Sequence, residues 1–261
     1  MQDFLKDTIK QAGYLAKGYY VEGIEYTTKS HAGDVVTKAD IETSNFLIKK
    51  IQEKFPDHGI ISEEEEEEIN PGAEYTWVMD PIDGTRNFAN HISVWCTMIG
   101  ITKNEVPYMG AIYDALNDEL FFAKAGEGAF LNDKKIKVSE TDDLDYFNVV
   151  FSAGQIRNDS PYNPEKGTLK KYFKFYDNMM GDMGHWVSNY STSLSLAHLA
   201  AGRLDAVVVN CALYHDYLPG YIICKEAGAK FTDIEGNDWK RGRKDIVVAN
   251  PKLHEKLLKM F

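Results

Sequence analysis

The chain has 261 residues, 44% of them hydrophobic and 26% charged, proportions of an ordinary folded protein with material for one large core or two closely packed subdomains. Its 40 Asp and Glu against 29 Lys and Arg give a net charge of -11, which argues against broad electrostatic attachment to nucleic acid. No apolar run reaches the roughly 20 residues that span a bilayer, and MQDFLKDTIK is a charged amphipathic start rather than a signal peptide, so the expectation is a cytoplasmic protein with no nucleic-acid and no membrane partner.

Phe4, Leu5, Ile9, Ala12, Leu15, Ala16 and Tyr19 recur at helical spacing and predict an amphipathic first helix. A second helix is predicted from about Ala39 to Lys54, with Ile41, Ile48, Ile51 and Phe55 inward and Pro56 and Gly59 ending it. GIIS follows as a short strand, and Glu63 to Glu68 read as a solvated acidic loop. TWVMD is then a buried strand that delivers Asp80 into the turn DPIDGT. The runs WCTMIGIT, YMGAIYDA and ELFFAKAG, separated by KNEVP and LNDE, read as neighbouring antiparallel strands. GEG at 126 to 128 lacks the third glycine of a dinucleotide fingerprint and reads as a turn.

DYFNVVFSAG opens a second portion with a strand, followed by a helix around Gly167 to Met180. Serines and Gly202 bracket the helix STSLSLAHLAAG before the strand LDAVVV. HDYLPGYIICKEAG is the last long helix predicted, and KFTD and DIVVAN supply final strands. A soft boundary near Ser139 to Asp143 separates a hairpin-rich α+β subdomain, residues 1–140, from an α/β subdomain, residues 141–261. Cys96, Cys211 and Cys224 are too few and too scattered for a disulfide framework or a zinc site and read as reduced core residues.

Three acidic points stand where strands or helices end: Glu63 after IIS, Asp80 and Asp83 around Pro81 and Ile82, and Asp216 at a helix start. Strand ends gather in one crevice in α/β layouts. Converging carboxylates repel by about 4 kcal/mol per pair at about 4 Å for an effective dielectric near 20, so such a cluster is stable mainly around cations, and oxygen ligands favour Mg²⁺ over zinc. Gly84 would let backbone approach an anion, and Thr85 would add a hydroxyl there. Blander readings stand beside these. Asp80 and Asp83 are common turn formers, Asp40 completes a Thr-x-x-Asp capping box with Thr37, Asp216 reads as a helix cap, and His215 reads as a packing or supporting residue. Lys240, Arg241, Arg243 and Lys244 form a basic surface turn that could also reach a second phosphate.

In order along nearly the whole chain, GDVVTKAD, FPDHGIISEE, WVMDPIDGTRNF, LAAGRLDA and HDYLPG resemble the lithium-sensitive inositol monophosphatase superfamily of Mg²⁺-dependent phosphatases. The resemblance implies a layered αβαβα sandwich, a homodimer and two or three Mg²⁺ ions. It implies that Glu63, Asp80, Asp83, Asp216 and the carbonyl of Ile82 ligate metal. It further implies that Thr85, with Asp40 behind it and Glu63 nearby, activates the attacking water, that Gly84 and Thr85 amides hold the phosphate, and that Asp83, Ser191 and Asp216 line the substrate side.

The chain departs from the family pattern in two places. Ser62-Glu63-Glu64 stands for Gly-Glu-Glu, and His215-Asp216-Tyr217-Leu218-Pro219-Gly220 stands for Trp-Asp-x-x-Ala-Gly. Val209 also occupies the place of an acid that binds inositol hydroxyls. The expected reaction is hydrolysis of a small phosphate monoester, with inositol monophosphate, 3'-phosphoadenosine 5'-phosphate, fructose 1,6-bisphosphate, NADP and histidinol phosphate as candidates. The rival expectation is a catalytically weakened cation- or ligand-binding regulatory protein on the same fold.

Overall fold

Helix α1 (Gln2–Glu22) follows the predicted spacing and buries Leu5, Ile9, Ala12 and Ala16. The structure, a computed structural model, describes residues 1–23, 26–28, 35–152, 163–164, 167–180, 186–188 and 191–261. Gly33 and Asp34 of the GDVV stretch, and Ala153 and Gly154 at the end of DYFNVVFSAG, lie outside the described residues. Strands β1 (Tyr26–Thr28) and β2 (Val35–Thr37) pair antiparallel and lead into α2 (Lys38–Lys54). At that junction Thr37 accepts from the amides of Ala39 and Asp40, and the Asp40 carboxylate accepts from the Thr37 amide, a reciprocal cap that satisfies free helix-end donors.

The inward face of α2 corrects the expectation for Ile41, which is 49% exposed. Ala39, Asp40, Thr43, Ser44, Leu47 and Ile51 point inward instead. The helix is rotated so that two polar side chains find partners inside: Asp40 accepts from Thr85 beyond the end of a sheet strand, and Ser44 hydrogen-bonds Ser62 of the sheet. Those partners replace water for the buried polar groups.

The first sheet has the order β3 (Gly59–Ser62), β4 (Tyr75–Asp83), β5 (Cys96–Lys103), β6 (Val106–Asp114), β7 (Glu119–Lys124), β8 (Gly128–Leu131) and β9 (Lys134–Ile136). Only the β3–β4 pair in it is parallel. A short helix, α3 (Thr85–Ala89), stands between β4 and β5. The second half supplies β10 (Asn148–Ser152), α4 (Leu169–Met180), β11 (Trp186–Ser188), α5 (Thr192–Ala200), β12 (Ala206–Val209), α6 (Tyr214–Glu226), β13 (Lys230–Thr232), β14 (Ile246–Ala249) and α7 (Pro251–Leu258). Its strands form a second sheet in the order β11-β10-β12-β14-β13. Helix α7 was not predicted, although Asn250 caps it and Pro251 opens it, a start signal that the sequence does carry.

Side-chain alternation along the strands sorts these elements into five layers. Trp77 and Met79 of β4 face α1 and α2, while Val78 between them faces α5 and α6. Val207 and Val209 of β12 face the same central helices, whereas Ala206 and Val208 face α4 and α7. The order is therefore helices, sheet, helices, sheet, helices, as the family resemblance implied. Full burial of side chains such as Ile99, Phe121 and Val208 contributes about 1.5–3 kcal/mol each. No helix among the described residues is long and apolar enough to cross a membrane.

Candidate active site

The stretch DPIDGT is not a turn. Strand β4 runs on through Asp83, and its ladder with β5 shifts between the pairs Asp80–Met98 and Asp83–Cys96. Three steps along β4 thus match two along β5, which is a bulge. In a regular strand residues three apart point to opposite faces. The extra residue reverses that parity, so Asp80 and Asp83 can serve one cluster. Gly84 then takes φ 95° at the start of α3, where an added Cβ would stand 2.9 Å from the Val94 carbonyl oxygen, so only glycine fits that approach without strain.

Asp80, Asp83 and Asp216 each offer a carboxylate oxygen, and these oxygens all lie within 4.8 Å of one another. All three side chains are buried. Each is fixed by a backbone amide: Ile82 N–H donates to Asp80 Oδ1 at 2.9 Å, Ser193 N–H to Asp83 Oδ2 at 2.8 Å, and Leu213 N–H to Asp216 Oδ2 at 2.5 Å. Helices α5 and α6 therefore bring the second half of the chain to the end of β4. Burial pushes all three carboxyls above the usual carboxylate range; neighbouring acids push further, while the Ser193 and Leu213 amides pull Asp83 and Asp216 partly back.

Among the described residues no lysine or arginine pairs with the three aspartates. Their charge needs another counterion, and the oxygen-only donor set suits hard divalent cations. Glu63 stands beside the cluster at the end of β3, with its amide donating to Met79 O at 3.2 Å. His215 joins them: its Nε2 lies 3.8 Å from Glu63 Oε2 and 3.7 Å from Asp216 Oδ1. The carbonyl of Ile82 accepts from Thr85 Oγ1 at 3.0 Å.

Thr85 Oγ1 also lies 3.2 Å from Asp40 Oδ1, while the Thr37 amide and hydroxyl donate to Asp40 Oδ2. One Asp40 oxygen thus caps α2 while the other meets Thr85. Burial raises the Asp40 carboxyl to about 7, against the lowering effect of the Thr37 bonds. Ser191 is buried at the cap of α5, and its Oγ accepts from the Leu194 amide. It also lowers the Asp83 carboxyl through a side-chain hydrogen bond.

The basic turn divides. Arg243 pairs with Asp233 at 3.5 Å and Lys244 donates to the Asn163 carbonyl, whereas Arg241 stacks over Tyr214 with its guanidinium carbon 4.6 Å from the ring centre. Arg241 also lines a cavity of about 320 Å³ with Glu68, Glu105 and Thr76. Val209 is buried in the central core, so its side chain offers nothing to a hydroxyl. Sequence reasoning missed the Ser193 amide, the Ser44–Ser62 bond and the contact between His215 and Glu63.

Five alternating layers around carboxylates gathered from strand and helix ends define an α/β sandwich whose site suits divalent cations. The model of the Inositol monophosphatase family matches residues 1–261, and the chain belongs to that family. The chain is 30% identical over 263 residues to "Inositol-1-monophosphatase" of Bacillus subtilis, covering 100% of this chain and 96% of the relative. It is 31% identical over 229 residues to "Fructose-1,6-bisphosphatase/inositol-1-monophosphatase" of Aquifex aeolicus, covering 87% and 81%. Among solved structures, extragenic suppressor protein suhB from Bartonella henselae matches with a TM-score of 0.88 at 27% identity, over 99% of this chain and 97% of that one. Family and relatives support a phosphatase.

Proposed function

We propose that the protein is a Mg²⁺-dependent phosphomonoesterase acting on a small phosphate monoester. The observation that carries this reading is the buried Asp80, Asp83 and Asp216 cluster with the Thr85–Asp40 pair beside it. Glu63, Asp80, Asp83, Asp216 and the Ile82 carbonyl would hold the ions. When bound, the cations supply positive charge for the phosphoryl oxygens and the leaving oxygen, and lower the pKa of water.

The chain's own residues do the rest. Thr85 Oγ accepts a proton from the attacking water while passing its own to Asp40 Oδ1, so the hydroxyl stays neutral and Asp40 stores the proton. The amides of Gly84 and Thr85 orient the phosphate, and Asp83, Ser191 and Asp216 face the substrate side. Val209, lacking a carboxylate, leaves the alcohol portion to be selected by other contacts.

Phosphate release from a panel of inositol, sugar and nucleotide monophosphates, with Mg²⁺ and after chelation, tests the reading. Turnover should require Mg²⁺ and fall by about 10²-fold or more in Asp83→Asn, because a ligand and a fixed charge are lost together. Equal rates with and without metal, or an unaffected Asp83→Asn variant, would sink the proposal.

A further inference from the structure

We infer that Ser193 is a positioning residue that fixes the span between Asp83 and Asp216, and that this fixed span favours Mg²⁺ over the larger Ca²⁺. The inference rests on the metal-dependent reading above and names, within that site, the contact that sets its selectivity. One residue of α5 grips both carboxylate-bearing elements. Its amide donates to Asp83 Oδ2 at 2.8 Å, and its hydroxyl donates to the Asp216 carbonyl oxygen at 2.9 Å. Met98 Sδ also lies against the hydroxyl, but a thioether is the weaker acceptor and the single proton goes to the carbonyl.

The arrangement is a clamp and not incidental packing. At the start of α5 the Ser191 hydroxyl accepts from the Leu194 amide, which leaves the Ser193 amide, one of the free donors of the helix, to Asp83. The helix itself has no need of a hydroxyl at 193, where alanine would propagate it better. Yet the Ser193 side chain is fully buried and spends its proton on α6. On the far side, Leu213 N–H holds the Asp216 carboxylate at 2.5 Å, so that carboxylate moves with the first turn of α6. Two hydrogen bonds through Ser193 thus join β4 to α6 beside the cluster whose oxygens lie within 4.8 Å of one another. A fixed span suits Mg²⁺, which demands near-octahedral geometry at about 2.0–2.1 Å, whereas Ca²⁺ takes about six to eight oxygens at about 2.3–2.6 Å in flexible geometry.

Calorimetric titration of the full-length protein with Mg²⁺ and with Ca²⁺ tests this without turnover. Ser193→Ala keeps the amide on Asp83 and removes the tie to α6. Its Mg²⁺ affinity should fall by about tenfold or more, the effect of losing a contact that orients a ligand. Its Ca²⁺ affinity should fall by about threefold or less, since a loosened site can widen around the larger ion. The ratio of Mg²⁺ to Ca²⁺ affinity should therefore drop by about threefold or more. Ser193→Cys keeps the volume and a weaker donor, so its ratio should lie between wild type and Ser193→Ala, and it decides the matter if the alanine variant does not fold. Ser195→Ala is the control: it removes an equally buried hydroxyl of α5, one that donates to the Ser191 carbonyl rather than to either aspartate, and its ratio should match wild type. Equal losses for the two ions, an unchanged ratio in the Ser193 variants, or a control that shifts as far overturns the role of Ser193 alone. Wild type that binds neither ion overturns the metal-dependent reading and this inference with it.

Discussion

Asp40 is gripped from two sides, by Thr37 at the start of α2 and by Thr85 at the start of α3. Burial raises its carboxyl to about 7, with Glu64 and Glu63 adding to the rise. A proton acceptor must be ionised before it can work, so activity should fall as pH drops through an acid limb at or below about 7, the lower position arising because bound cations offset the charge of Glu63. Asp40→Asn should lower kcat by about 10²–10⁴-fold and erase that limb. A pH–rate profile of the variant with the wild-type limb intact would remove Asp40 from the proton path. The capping role of Asp40 is legible because Thr37 lies three residues away, whereas its place behind Thr85 came only from the family resemblance; the DPIDGT motif singled out Asp80, Asp83 and Thr85. Nothing local pointed to the Ser193 amide, which reaches Asp83 across 110 positions of chain. The nearness of His215 to Glu63 is likewise a product of how α6 docks on the first sheet.

Helix α6 approaches the first sheet through two glycines. A Cβ at Gly110 would stand 2.6 Å from the Pro219 carbonyl oxygen, and one at Gly100 would stand 2.8 Å from Leu218 side-chain carbons. Pro219 lies inside α6 and cannot donate to the His215 carbonyl, so the backbone there is set against the sheet in place of one helical bond. Gly110→Ala should push α6, and Asp216 with it, away from β4. The expected result is a loss of about 1–3 kcal/mol in stability from overpacking, together with weaker Mg²⁺ binding. Denaturant melts and calorimetry on one sample check both, and a variant with full Mg²⁺ affinity would show that the helix position does not govern the site. Periodicity gave away elements of this kind where one side of a strand or helix is uniformly apolar, as in β5 to β7 and α5. It failed at α2, where Asp40 and Ser44 take inward places that the apolar pattern assigned to Ile41. It also failed at β4, because Asp, Pro and Gly are turn residues whether the chain reverses or bulges.

The five layers place three raised carboxyls at the junction between the first sheet and the central helices, with Asp40 alongside, and that placement sets how the whole molecule responds to pH. Asp40, Asp80, Asp83 and Asp216 all bind protons more tightly in the fold than their ordinary values, chiefly through burial. A carboxyl raised in this way contributes stability below its unfolded pKa, near about 4, and that contribution is lost as pH rises through the folded value. Metal-free protein should therefore weaken on going from about pH 4 through about 7, the folded value for Asp40. Partly buried His58 and His198 and buried His254 act in the opposite sense, since desolvation lowers them and their contribution fades as pH falls below about 6.5. The difference between Mg²⁺-loaded and chelated protein cancels these histidines and isolates the acidic cluster. Mg²⁺ at about 100 times its dissociation constant adds about 2.7 kcal/mol, equivalent to a rise of about 5–10 °C in Tm for a chain of this size. The increment should be full at pH 8, where the cation meets ionised carboxylates, and much smaller at pH 5, where it must displace protons. Calorimetric scans at the two pH values check this, and an increment that stays the same at both would mean that the ion binds somewhere other than Asp80, Asp83 and Asp216.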